Sequence, residues 1–313
     1  MSTLDATEAL AAAERIDTPP GYEGWAAAAK HGWLWDTLVR GTEPTEAWLP
    51  PLVLPFQRRP LTELGIVLRK AQLEKALTRT SDVMEPGRPK IIHARGSAAM
   101  IELETTDESP FSGLLAAPAA GGGAIGLIRM SLVTKVSGKK SYIPAMALKL
   151  LIDRHPSADV LAMNHTVGQG RDFNMFSNPM TNDLSEEHRE LRTPQKVMAR
   201  LFARVSREPR RLTVAHLTAR RRDGSAVDAP VTPDRLVFRP TQEAKRAFQG
   251  KADVDFRRVL ANVGVGVPLY DVEGLLGPPD QRTVESVGVL RTSTSFVSSP
   301  GGDRLFFRHV QDQ

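Results

Sequence analysis

The stretch Lys90-Ile91-Ile92-His93-Ala94-Arg95-Gly96-Ser97-Ala98-Ala99-Met100-Ile101-Glu102 constrains the fold more than any other part of the chain. A β-branched run reaches a single histidine, a glycine follows three residues later, and a second strand pattern begins. A polar ring placed mid-strand in an apolar run must be hydrogen-bonded or put to use. The pattern predicts that His93 lies over a pocket inside a β-barrel.

The segments around this stretch predict an α+β chain. Four tryptophans, Trp25, Trp33, Trp35 and Trp48, fall in the first fifty residues and none follows. With a helical pattern over 23–39, they describe an N-terminal arm over 1–60 that anchors on something large and apolar, either the barrel wall or a partner subunit. Prolines rule 49–55, and a helical stripe covers 61–77. A barrel domain with helical insertions is expected over 61–313. Strands are read at 90–95, 98–105, 125–136, 159–163, 236–238, 263–269, 284–290 and 305–310. Helices are read at 145–153, 184–204 and 241–260, the last interrupted by Gly250. Residues 212–222 alternate polar with apolar, and Asp223-Gly224 signals a tight hairpin turn. Helices first, then many strands with one helical insert, then strand-helix-strand, is not the alternation of a parallel α/β sheet.

Two glycine patterns are rejected. Gly121, Gly123 and Gly126 match GxGxxG formally, but a Pro-Ala-Gly loop precedes them and a strand pattern follows, where a dinucleotide site needs a strand before and a helix N-terminus after. Gly138-Lys139-Lys140-Ser141 resembles the end of a phosphate loop, but the required upstream glycine is Val133.

Composition narrows the chemistry. The chain has no cysteine, which excludes disulfides, zinc–cysteine sites, thiolate haem ligation and cysteine nucleophiles. The net charge of +5 is spread along the chain without a block of one sign, so no nucleic-acid partner is expected. The N-terminus lacks the basic start and apolar core of a signal peptide, and no apolar run approaches the ~18 residues of a membrane span. A cytoplasmic protein is expected.

Three positions can carry chemistry. Histidine is a ready acid or base, and His93 is one candidate, with a structural role as the alternative. Arg129 and Ser131 stand two apart on a strand and so share a face, where they can hold an anion and order a water, or form a rim salt bridge. Asn164 and His165 fall on opposite faces of a strand end. The amide can orient a peroxide or water, or cap a turn.

Together these positions resemble one family, the haem catalases and their catalase-like relatives. Lys90-Ile91-Ile92-His93-Ala94-Arg95-Gly96 is similar to that family's Arg-Val-Val-His-Ala-Lys-Gly, and Arg129-Met130-Ser131 to its Arg-Phe-Ser. Ala145-Met146-Ala147-Leu148-Lys149-Leu150 echoes Gly-Phe-Ala-Val-Lys-Phe. Asp159-Val160-Leu161-Ala162-Met163-Asn164 stands in register with Asp-Leu-Val-Gly-Asn-Asn. The resemblance covers residues 88–180 and weakens on either side. It implies an antiparallel catalase-like barrel with helices outside it and haem b as cofactor. His93 would be the acid–base residue above the haem, Asn164 would polarise a bound peroxide, and Ser131 would bond His93. Lys90, Arg129 and Phe173 would bind the haem, the two cations at its propionates. The implied chemistry is peroxidase turnover or hydroperoxide rearrangement, with the proton shuttled by His93. The family's exchange of N-terminal arms implies a homodimer.

The chain departs from the family at the iron. The family's axial tyrosine stands in Arg-Leu-Phe-x-Tyr, and none of Tyr22, Tyr142 and Tyr270 has that context. Asp303-Arg304-Leu305-Phe306-Phe307-Arg308-His309 is more similar to the segment preceding that helix, and the chain ends at Gln313. Either the axial helix is lost or another residue, formally His309, ligates the iron, so the metal ligand is unassigned. The alternative is a haem-free member of the fold that binds or converts an apolar small molecule in its barrel cavity.

Overall fold

A computed structural model describes residues 19–40, 96–134, 141–164, 168–169, 174–182, 209–251, 255–278, 280–305 and 307. The expected elements at 61–77, 90–95 and 184–204 lie outside them, as do Trp48, Lys90, His93, His165, Phe173 and His309.

Eight antiparallel strands close into a barrel. The strands in chain order are β1 (Gly96–Thr105), β2 (Ala124–Thr134), β3 (Ser141–Ile152), β4 (His155–Asn164), β5 (Gly168–Gln169), β6 (Met180–Thr181), β7 (Arg235–Pro240), β8 (Pro268–Leu276) and β9 (Thr283–Thr292). The ring runs β1-β9-β8-β7-β6-β4-β3-β2 and closes because β2 pairs with both β1 and β3; β5 adds outside the ring, at the start of β3. The two-residue strand β6 completes the ring, pairing with the end of β4 on one side and with Val237 and Phe238 of β7 on the other. Alternation sends Ala99, Ile101, Leu103, Ile128, Met130, Met146, Leu148, Val160, Ala162, Phe238, Tyr270 and Leu290 into one buried interior cluster.

Glycine shapes the wall at two points. A Cβ at Gly126 would stand 2.1 Å from the Lys149 carbonyl oxygen, and one at Gly288 would stand 2.0 Å from that of Glu104. Neighbouring backbone approaches too closely there for any side chain, as at barrel corners. Gly126, formally the third glycine of a nucleotide fingerprint, is therefore a strand glycine of the wall.

The outer face of β1 to β4 is also covered. Helix α1 (Ala27–Trp33) continues into a wider π-helical turn, Leu34–Val39. Tyr22, Leu34, Trp35 and Val39 pack with Ala98, Leu127 and Leu151 of the wall and with Leu305 and Phe307. Of the two supports considered for the tryptophan-rich arm, its own barrel wall carries residues 19–40. Helix α1 is pinned by polar contacts as well. Lys30 Nζ donates to the carbonyls of Ile152 (3.2 Å) and His155 (2.7 Å), and His31 Nε2 lies 2.7 Å from the Gly126 carbonyl. Burial lowers the His31 pKa, partly opposed by that hydrogen bond, so the ring sits there neutral.

Several elements differ from the sequence expectation. Residues 145–153 are not a helix but most of β3, the longest strand. With both faces covered, the strand reads as a continuous apolar run, and alanine, methionine and leucine supplied helix propensity without helix geometry. Residues 212–222, read by alternation, fall largely in helix α2 (Pro209–Ala219). The helix expected over 241–260 is two short ones. These are α3 (Gln242–Ala247), capped by Thr241, and α4 (Phe256–Leu260), capped by Asp255. The strand expected at 263–269 begins only at Pro268, after a turn at Gly266 with φ +77°. A short helix α5 (Pro300–Arg304) capped by Ser299 precedes Leu305; of the strand expected at 305–310, residues 306 and 308–310 lie outside the described residues. The Asp223-Gly224 turn forms as expected, with Gly224 at φ +82° and Arg221 N–H donating to the Ser225 carbonyl at 2.9 Å.

Candidate functional site

The described residues of the four blocks fall on the neighbouring strands β1 to β4. Block Arg129-Met130-Ser131 pairs with Gly96–Ala98 on one side and with Ala145–Ala147 on the other, and β4 follows with Asn164 at its end. Gly96, Ser131, Ala145 and Asn164 therefore lie at the same end of the barrel.

The register divides their side chains between the two faces of the wall. Asn164 is paired with inward-facing Met180 and stands on the side of Ala162, inside. It is buried, and its Nδ2 donates to the Asn178 carbonyl at 3.4 Å. Ser131 alternates with inward-facing Met130 and shares the outer side with Leu127. The wall therefore separates Ser131 from Asn164, and the structure does not bring them into one pocket.

Arg129 is also on the outer side, and its environment is fully built. Its side chain is 3% exposed. Nη2 donates to Asp303 Oδ1 at 2.5 Å, and Nε donates to the Gly302 carbonyl at 3.1 Å. The same carboxylate oxygen accepts Gly96 N–H at 2.8 Å. The guanidinium lies across Gly96: a Cβ there would meet Arg129 Cζ at 2.6 Å and the Met130 carbonyl oxygen at 2.7 Å. The glycine of the His-Ala-Arg-Gly stretch thus makes room for the arginine of the next block. Sequence reading singled out Gly96, Arg129 and the Asp303 segment separately but missed the carboxylate between them. A partner 174 positions away leaves no local signal.

A second buried cation lies on the same outer face. Lys149 Nζ donates to both oxygens of Asp159 at 3.0 Å and to Ser157 Oγ at 2.9 Å. Ser157 in turn donates to Asp159 at 2.9 Å, and the Phe307 ring covers the ammonium at 5.5 Å. Lys149 and Asp159 are both essentially fully buried. Sequence reading did not pair the two residues, because it took 145–153, with Lys149, as a helix.

The Tyr270 hydroxyl is a second polar group inside the barrel. Tyr270 has no exposed surface and sits among Phe176, Phe238, Met130 and Met180. Its hydroxyl acceptors are two thioethers, Met130 Sδ at 3.8 Å and Met180 Sδ at 3.9 Å. Burial pushes its pKa well above the ordinary tyrosine value, so it is a neutral donor.

Among the described residues, Tyr22, Tyr270 and Arg129 are already engaged within the fold. Tyr270 is enclosed by the interior core and Tyr22 is packed beneath Trp25 and Trp33, so neither reaches an iron beside the wall. Arg129 already has the chain's own carboxylate where a propionate would bond. No group of three or more histidine, aspartate or glutamate residues that could hold a metal occurs among the described residues. Likewise, no helix among them is long and apolar enough to cross a membrane. Lys90, His93 and Phe173 lie outside the described residues. No family model matches the chain, and neither a curated protein nor a solved structure matches it.

Proposed function

We propose that the chain is a catalase-like barrel protein that works without haem and takes an apolar small molecule carrying one acceptor oxygen into the barrel interior. The observation that carries this reading is the Tyr270 hydroxyl. It is a strong donor in hydrocarbon surroundings whose acceptors are thioethers, which are weak ones. Replacing a thioether by a ketone, ether or hydroperoxide oxygen improves that hydrogen bond without burying a new charge. The neighbours suit the exchange. Met130, Met146, Met175 and Met180 belong to the same interior cluster, and methionine re-packs around irregular shapes more readily than branched side chains. Asn164 closes the same interior at the barrel end, where its amide is a second polar group for a ligand oxygen.

Thermal shift with a matched pair of probes tests the reading. 2-Nonanone is expected to raise the melting temperature, and nonane to raise it less. Tyr270→Phe should remove the difference between them while leaving the protein folded. A ketone that stabilises wild type and Tyr270→Phe equally, or neither, contradicts the assignment. The haem reading replaces this one if the protein binds haem and responds to peroxide.

A further inference from the structure

We propose that Gly96 and Arg129 form a carboxylate-binding site on the outer face of the wall, that the chain's own Asp303 fills it, and that a linear amphiphilic carboxylate enters by displacing Asp303. This goes beyond the interior reading and stands on the other face of the wall.

The donors converge. One backbone N–H and one guanidinium N–H meet at a single carboxylate oxygen, 2.8 and 2.5 Å away. Such charge-assisted pairs are the strong members of the hydrogen-bond series. The site is built rather than incidental, because Gly96 has no room for a Cβ beside the guanidinium. Arg129 is 3% exposed and Asp303 18%, so the cation belongs to the wall and the carboxylate comes from the solvent side.

The occupant is held by a short strap. Upstream, Ala98 and Val297 exchange backbone hydrogen bonds at 2.8 and 2.7 Å, which ties the chain to β1. Beyond that point Asp303 rides on α5, a helix of five residues held by Ser299 Oγ, which accepts the Gly302 N–H at 3.0 Å. A helix this short has little stability of its own, so its position depends on what it touches. Leu305 and Phe307 carry the strap into the apolar layer of Leu34, Trp35, Leu127 and Leu151. The strap is therefore a carboxylate followed by apolar side chains on an apolar surface. A molecule with a carboxylate head and an alkyl tail offers the same groups in the same order. The self-bound carboxylate lowers the apparent affinity for such a molecule by the fraction of time the site is open.

Decanoate and decanol, which share a tail and differ in the head, are the probes. Titrated into the full chain, decanoate should bind Asp303→Asn about tenfold or more tightly than wild type, because the mutation weakens the internal competitor. Decanol should bind both alike, and adding Arg129→Gln should abolish the decanoate preference. Tyr270→Phe should leave this binding unchanged, which separates it from the interior site. In wild type, saturating decanoate should speed hydrogen exchange at the amides of Asp303 and Leu305, which bond to the carbonyls of Ser299 and Gly301. The wild-type exchange measurement decides the matter if Asp303→Asn does not fold. Equal binding of the two probes overturns the proposal. So does no gain in Asp303→Asn, or decanoate failing to bind wild type or leaving strap protection unchanged.

Discussion

Replacing Lys149 by methionine is expected to cost about 3–5 kcal/mol of folding stability, the range for breaking a buried ion pair from one side. The methionine fills most of the volume, so the loss is electrostatic. It takes the Lys149 ammonium away from the Asp159 carboxylate, which has no exposed side-chain surface. Ser157 Oγ still donates to that carboxylate, but a neutral hydroxyl does not replace an ammonium. The double variant Lys149→Met/Asp159→Leu should recover most of the loss, because well-packed apolar pairs replace buried ion pairs at little net cost. Urea unfolding of the three proteins checks the claim. A single variant within about 1 kcal/mol of wild type, the scale of an exposed pair, would show that the two residues are solvated after all.

Gly96→Ala is the second large effect, expected at roughly 2–4 kcal/mol, an overpacking term enlarged by the loss of a buried polar contact. The new methyl group meets the Met130 carbonyl oxygen, which belongs to a paired strand and cannot move aside. It also meets the Arg129 guanidinium, which can move only by giving up Gly302 and Asp303. The loss should therefore come with faster hydrogen exchange in the strap, not only with a lower unfolding midpoint. An alanine that lowers the midpoint and leaves Asp303 and Leu305 protected would mean that Arg129 does not depend on the glycine.

The barrel was legible in the sequence where its strands have one dominant period, and less so elsewhere. β2 and β9 were found from their β-branched residues, and β1, β7 and the second half of β4 from apolar strand patterns beside turn residues. β3 was read as helix because its two faces are both buried, so inward Met146 and Leu148 and outward Ala147 and Leu151 form one apolar run. The only charge in it, Lys149, is itself buried. Gly126 fell into a formal nucleotide fingerprint because its real reason, the backbone of β3 pressed against it, lies on another strand. The site was legible by blocks and not by faces. Sequence spacing put Arg129, Ser131 and Asn164 in the right order, but the register of three strands decides that Ser131 faces out and Asn164 faces in. Asp303 was beyond reach for the same reason: its partners stand on β1 and β2, and only the folded wall brings them to it.

We propose that this antiparallel barrel works without haem. The absorption spectrum of the purified protein, expressed with ample haem precursor, tests it most directly. No Soret band is expected, and no spectral change on adding peroxide. A stoichiometric Soret band that shifts with peroxide would contradict it.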